Sequence, residues 1–162
     1  MIPVIKKSFL ALSFLLSLFL NGQDFDAVIA EMAVEHEAEI IELRHWFHQN
    51  AELSNREFKT AEKISEALIK IGLEPKTGIA KTGVVAVLKG GKPGPVVALR
   101  ADIDGLPVKE RADLPWKSNM VGEYNGEKVP VMHACGHDTH TAMLLGVAKI
   151  LYTIKDDIPG SI

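Results

Sequence analysis

Apolar and polar positions change period several times along the chain, and each change predicts an element. In "FDAVIAEMAVEHEAEIIELRHWFHQN", Ile40, Leu43 and Phe47 recur at helical spacing while Glu37, Glu39 and Glu42 fall on other faces, which predicts one long helix. A second helix follows, with Phe58, Ala61, Ile64, Leu68 and Ile71 as its buried stripe and Gly72 as its stop. Ser54 and Glu57 in "SNRE" read as its capping box, and Leu53 is set to staple onto Phe58. Two Val-rich runs, "GVVAVLKG" and "PVVALRAD", are too short for helices and predict neighbouring strands joined by a turn at "GKPG". Their continuous apolar character predicts cover on both faces, the pattern of a layered α/β domain. The second run delivers Asp102 and Asp104 to its C-terminal end, the edge at which α/β sheets usually bind ligands. From Lys109 to Val131 the pattern breaks at Pro115, Gly122, Gly126 and Pro130 and predicts a loop. A third helix is predicted over "TAMLLGVAKILYTIK", with Met143, Val147, Ile150, Leu151 and Ile154 facing the core. After it, "DDIPGSI" stops the helix where a further strand is expected.

The N-terminus follows a different rule. Lys6 and Lys7 precede "SFLALSFLLSLFL", an apolar run of 13 residues that is shorter than the roughly 20 needed to cross a bilayer. A basic start, a short apolar centre and the small Gly22 predict a signal peptide over residues 1–22, with a mature chain from Gln23. The alternative is an uncut membrane anchor. Export to the periplasm or the exterior is the expectation, with no stable membrane insertion after cleavage. The 47% hydrophobic and 24% charged fractions are those of a globular protein, and 162 residues fit one domain or part of a larger one. A net charge of -3 with no cluster of Lys and Arg argues against a nucleic-acid partner.

Chemistry concentrates in "MHACGHDTH", Met132 to His140, which holds three of the six histidines, the only cysteine and an aspartate. An exported lone thiol is buried and inert, paired with another chain, or held by a metal, and the polar neighbours of Cys135 argue against the first. Read as an extended loop, the stretch puts His133, Cys135 and His137 on one face, where a thiolate and an imidazole can grip one cation. Asp138 reads as a cap of the following helix or as an orienting group for a ligating imidazole, and His140 is set to face the same cavity. His133 and His140 have structural hydrogen bonding as their alternative. A cysteine nucleophile with His137 as base is a rival reading, weakened because a free thiolate is readily oxidised outside the cell. Two donors do not complete a zinc site, and Asp102 and Asp104 are the carboxylates at hand, unless they are only a polar strand end.

"ALRADIDGLPVKE" followed by "VMHACGHDTHTAMLLGVAKIL" closely resembles the amidohydrolase branch of the aminoacylase and zinc-carboxypeptidase family. That branch includes hippurate hydrolases, N-acyl-amino-acid hydrolases and plant indole-acetyl-amino-acid hydrolases. "FHQNAELSNREFKTA" and "KTGVVAVLKGGKPGPVVALRAD" are similar to its other N-terminal segments, so the resemblance covers everything after residue 22. It implies an α/β, three-layer zinc-peptidase-like catalytic domain with a mixed sheet, of which residues 23–162 are the N-terminal part. It further implies hydrolysis of the amide bond in small N-acyl amino acids with two divalent ions, zinc or manganese, with nickel or cobalt as further options. By the same resemblance Cys135 and His137 are metal ligands, Asp104 supports the metal site from behind, and His48 matches a first-helix histidine with no assigned chemistry. Ala51 stands where the family usually has proline, which is expected to loosen the turn there. The family's paired glutamates, one of them the general base, its later histidine ligands and its lid or dimerisation domain have no counterpart before Ile162. The expectation is therefore an inactive N-terminal fragment of an enzyme that is open to homodimer formation at full length. A non-catalytic metal-binding or interaction module is the alternative from a different class.

Overall fold

The structure is a computed structural model that describes residues 25–162. The signal peptide expected at residues 1–22 lies outside the described residues. Residues 32–162 form one compact unit that holds the core, the strands and the histidine-rich stretch. Helix α1 spans Phe25–Gln49, as the helical spacing predicts, and Phe47 is its deepest apolar side chain. Helix α2 (Phe58–Ile71) and helix α3 (His137–Thr153) complete the helical set. Phe47, Ile64, Leu68, Ala142 and Leu145 form one core cluster, against which Ile40, Leu43 and Trp46 pack. Full burial of a side chain such as Phe47 stabilises by about 1.5–3 kcal/mol.

The two ends of α2 are fixed by different means. At the C-terminus Gly72 is left-handed (φ 105°) and its N–H bonds Ile69, while Leu73 N–H reaches back to the Leu68 carbonyl. At the N-terminus the predicted capping box does not form. Arg56 N–H closes a turn onto the Leu53 carbonyl and Asn55 has φ 63°, so the helix starts only at Phe58, too late for Ser54 to cap it. Glu52 caps from outside, accepting from the N–H of Lys59 and from both the N–H and hydroxyl of Thr60. Glu57 instead accepts from the Thr82 hydroxyl at 2.7 Å. Phe58 is exposed, so the staple is absent as well, and Leu53 packs with Ala51 and Val131 in a second cluster.

The face of α3 also departs from expectation. Its buried residues are Asp138, Thr141, Ala142, Leu145, Gly146 and Ile150, whereas Met143 is 50% exposed and Val147 is exposed too. Size explains this. A Cβ on Gly146 would come within 3.1 Å of the Ile40 side chain, so a glycine at this position leaves room for Ile40 of α1.

The strands are paired otherwise than their order predicts. The described residues form three two-stranded ladders: β1 (Lys76–Ile79) with β2 (Gly83–Val85), antiparallel; β3 (Lys92–Val96) with β6 (Pro159–Ser161), parallel; and β4 (Met120–Tyr124) with β5 (Glu127–Val131), antiparallel. The "GKPG" turn is thus largely strand, and "GVVAVLKG" does not pair with "PVVALRAD". Segment 88–97 takes its bonds from the chain end: Leu88 and Ile162 exchange N–H and carbonyl at 2.8 and 2.9 Å, and Val97 N–H bonds Ser161. Gly90 makes this approach feasible, since a Cβ there would lie 2.2 Å from the Ile158 carbonyl oxygen. Val96, Val97 and Leu99 are exposed, contrary to the two-sided cover their apolar run predicts. In the predicted loop, Asn125 and Gly126 have φ 51° and 81°, the signature of a type I′ turn, and they join β4 to β5.

Two main-chain links hold the "DIDGLP" segment beside the His133–His140 stretch. Gly105 N–H bonds the Glu52 carbonyl, and Leu106 and Met132 exchange both bonds at 2.9 and 3.1 Å. Gly146→Val should cost about 1–3 kcal/mol through overpacking against Ile40, while Met143→Ala should stay within about 0.5 kcal/mol. Urea unfolding of the two variants reads this difference, and equal losses would contradict the assigned face.

Candidate functional site

The histidine-rich stretch is a turn, not an extended loop. Ala134 N–H bonds the Met132 carbonyl, and Gly136 is left-handed (φ 81°) before α3 begins at His137. The Gly136 carbonyl then accepts from Thr139 and His140. The turn separates what strict alternation would align: His133 is 5% exposed, whereas Cys135 is exposed. The expected common face of His133, Cys135 and His137 is therefore corrected, because a turn at Ala134–Cys135 breaks the period of two.

Asp104 and His137 are brought together. Nδ1 of His137 lies 3.0 Å from both the Asp104 carbonyl oxygen and the Asp104 Oδ1. A carbonyl oxygen only accepts, so Nδ1 carries the hydrogen and donates it. In the neutral ring this leaves Nε2 as a lone pair directed away from Asp104, the arrangement in which an imidazole ligates a metal. Asp102 goes elsewhere: its carboxylate is held by Arg100 at 2.7 Å, and its carbonyl accepts from the Thr141 hydroxyl. The Arg100 guanidinium holds the Asp102 carboxyl below its ordinary value. His140 is exposed, its ring centroid 5.8 Å from that of His137.

Asp138 is not the helix cap that its position predicts, since α3 has no side-chain cap bond. It is 1% exposed, and its Oδ2 accepts from Arg44 Nε at 3.0 Å and from His48 Nδ1 at 2.9 Å. Across the ring, His48 Nε2 lies 2.7 Å from Glu110 Oε2. Two carboxylates accept from one ring only if both its nitrogens donate. Burial pushes the Asp138 carboxyl up, but the hydrogen bond from His48 and the charge of Arg44 outweigh it and hold it below its ordinary 3.8. The His48 bond likewise holds Glu110 below 4.5 against the smaller opposing effect of burial. His133 lies next to this group, its ring centroid 6.4 Å from that of His48. Among the described residues, neither of its nitrogens has a partner in hydrogen-bond geometry. Burial lowers its pKa from 6.5, and the Asp138 charge offsets only part of that.

Sequence reasoning missed Arg44 and Glu110 and gave His48 no role. Arg44 and His48 are four apart on α1 and so share a face with each other, a signal that is present in the pattern. Among the described residues, no group of three or more His, Cys, Asp or Glu is arranged to hold a metal ion. His137 Nε2 and the exposed thiol of Cys135 are donors of the right chemistry for a zinc-like ion.

Comparison with known proteins extends this picture. Residues 98–162 match the family pattern described as Peptidase family M20/M25/M40. The chain is 48% identical over 124 residues to thermostable carboxypeptidase 2 of Saccharolobus solfataricus, covering 76% of this chain and 30% of that protein. It is 43% identical over 134 residues to an N-acyl-L-amino acid amidohydrolase of Geobacillus stearothermophilus, covering 83% of this chain and 34% of the relative. A solved structure of a Bacillus subtilis dinuclear metal binding peptidase from the M20 family superposes with a TM-score of 0.69 at 38% identity, over 76% of this chain and 33% of the other. The chain thus spans about a third of the length of these relatives.

The depressed pKa values of Asp138, Glu110 and His133 act on stability in the same direction. Asp138 and Glu110 contribute in full above their ordinary values of 3.8 and 4.5, and the contribution is lost as pH falls through the lower folded-state values. His133, folded in its neutral form, starts to cost stability once pH drops below 6.5. Urea midpoints measured from pH 8 to pH 3 should fall continuously below pH 6.5, and His133→Asn should flatten the limb between pH 6.5 and 5.

Proposed function

We propose that this chain, whose residues 98–162 are M20/M25/M40 peptidase family sequence, carries part of the metal cradle of an amidohydrolase acting on small N-acyl amino acids. The observation that carries the reading is the His137–Asp104 contact, which commits Nδ1 and leaves Nε2 free one residue beyond the Cys135–Gly136 turn. Cys135 Sγ and His137 Nε2 would hold a divalent ion, zinc or manganese, with nickel and cobalt as further options. Such ions supply polarisation of the amide carbonyl and acidification of water to a pKa of about 7. Asp104 keeps the His137 ring in the ligating tautomer and orientation. Cys135 stays exposed on the rim of the turn, where its thiolate is open to the ion. The signal-peptide reading of residues 1–22 puts this chemistry in the periplasm or outside the cell.

Support for the substrate class comes from the amidohydrolase relative, named for N-acyl-L-amino acids. The carboxypeptidase relative favours a second reading, a short peptide cleaved at its C-terminal residue. Both substrates present an amide whose nitrogen belongs to an amino acid with a free carboxylate. In catalysis, a carboxylate base must pass the proton from water to the leaving amine. The carboxylates around the cradle are already committed, Asp102 to Arg100, Asp104 to His137 and both Asp138 and Glu110 to His48. The 162-residue chain by itself is therefore proposed to be catalytically silent.

Purified chain titrated with Zn²⁺ should bind, and Cys135→Ala and His137→Ala should each weaken binding at least tenfold by calorimetry. The same chain incubated with hippurate and Zn²⁺ or Mn²⁺ should release no glycine. Chelator-sensitive glycine release would contradict the silent-chain reading, and unchanged Zn²⁺ affinity in both variants would contradict the cradle.

A further inference from the structure

We propose that Arg44 and His48 are positioning residues for the metal cradle, acting from α1 through the Asp138 carboxylate on the first turn of α3. The proposal rests on the reading of Cys135 and His137 as metal donors. Asp138 follows His137 directly, so whatever fixes one fixes the Cα of the other to within a peptide unit. Local main-chain hydrogen bonds close this turn, but no local side chain restrains it. Gly136 is left-handed and supplies no side chain, and α3 begins with no side-chain cap. The restraint comes instead from residues 94 and 90 positions away, which converge on one atom, Asp138 Oδ2.

His48 is itself immobilised from behind. Its Nε2 faces Glu110 at 2.7 Å, on the segment that continues from Asp104 through Gly105 and Leu106. One imidazole therefore spans three parts of the fold: α1, the segment after Asp104, and the first turn of α3. The same two parts that flank His48 are those that supply Asp104 and His137. The tie through His48 and the tie through Nδ1 of His137 run in parallel, and together they fix the distance over which Asp104 aligns the His137 ring.

A buried ionic group is a poor device for stability alone, because desolvation offsets most of its attraction. An apolar pair would fill the space between α1 and α3 at less cost. What the ionic group adds is direction: Asp138 has one carboxylate geometry that satisfies both Arg44 and His48. That is the property a metal donor on the adjacent residue requires, and outer groups of this kind typically contribute about 10–100-fold to metal affinity.

The test uses the full 162-residue chain and Co²⁺, followed by visible absorption and by the thiolate-to-metal charge-transfer band. His48→Gln and His48→Leu should weaken Co²⁺ binding about tenfold or more. His48→Asn, whose amide occupies the place of Nδ1 and can still donate to Asp138, should recover most of the affinity. Leu68→Ala, a core lesion in α2, controls for general destabilisation and should bind as the wild type does while it remains folded. Amide exchange at Thr139–Ala142 gives a readout free of metal and should accelerate about tenfold in His48→Gln but not in His48→Asn. Equal affinities and equal exchange in His48→Gln and wild type would overturn the positioning role, as would a loss in Leu68→Ala matching that in His48→Gln. If Cys135→Ala binds Co²⁺ as tightly as wild type, the cradle reading fails by itself, and the exchange comparison then decides the positioning role.

Discussion

The buried carboxylate of Asp138 is the constraint on which the arrangement of this protein turns. It is the most enclosed charged group among the described residues, and it survives there because Arg44 and His48 both donate to the same oxygen. Removing one partner of such a group typically costs about 3–5 kcal/mol, since the remaining charge keeps its desolvation penalty and loses its compensation. That cost is comparable with a large share of a domain's net stability. The register of α3 against α1 is therefore tied to an electrostatic contact as well as to packing. Gly146, buried in the same helix as Asp138, leaves room for the Ile40 side chain of α1.

From that anchor the site assembles in order. The Leu106–Met132 exchange lays the Asp104 segment beside the turn, and the turn raises Cys135 to the surface while it buries His133. His137, at the start of α3, then meets Asp104 with Nδ1 and presents Nε2. Each step uses a different force: main-chain hydrogen bonds, a left-handed glycine, a buried ionic group and a directed ring contact. The Lys149 and Lys70 pairs on Glu39 link α3 and α2 to α1 at the far side, and hold the Glu39 carboxyl below its ordinary value.

Helices are the legible part of the fold. Phe47, Ile64 and Leu68 sit at helical spacing and are buried where that spacing puts them, because side-chain volume and period agree. On α3 they disagree. Met143 and Val147 look like core by hydropathy, yet Ala142 and Gly146 are the buried residues, and the Ile40 side chain fills the space that a larger side chain at 146 would need. The β4–β5 hairpin is readable from Asn125–Gly126, and weighing Pro and Gly only as breakers conceals it. The strand pairing is not readable, since the partners of 88–97 lie at 158–162 and the glycines that admit them carry no pattern. Within the site, the residue types of "MHACGHDTH" and of "DIDG" are visible, but their chemistry does not say which of Asp102 and Asp104 meets His137, and only the family resemblance singles out Asp104. The separation of His133 from Cys135 is hidden by a turn. The role of Asp138 depends on Arg44 and His48, some ninety residues away, and no local pattern reports a contact of that span.

Function on this reading depends on one ring: Asp104 fixes His137 with its hydrogen on Nδ1 and leaves Nε2 open to a divalent ion. Long-range ¹⁵N–¹H correlation of the imidazole rings, with the His137 signal assigned by His137→Gln, observes that state itself. The expected spectrum shows a protonated Nδ1 and a bare Nε2 whose shift moves on addition of Zn²⁺, with loss of the tautomer preference in Asp104→Ala. A His137 ring protonated at Nε2, unmoved by metal and indifferent to Asp104→Ala, would contradict it.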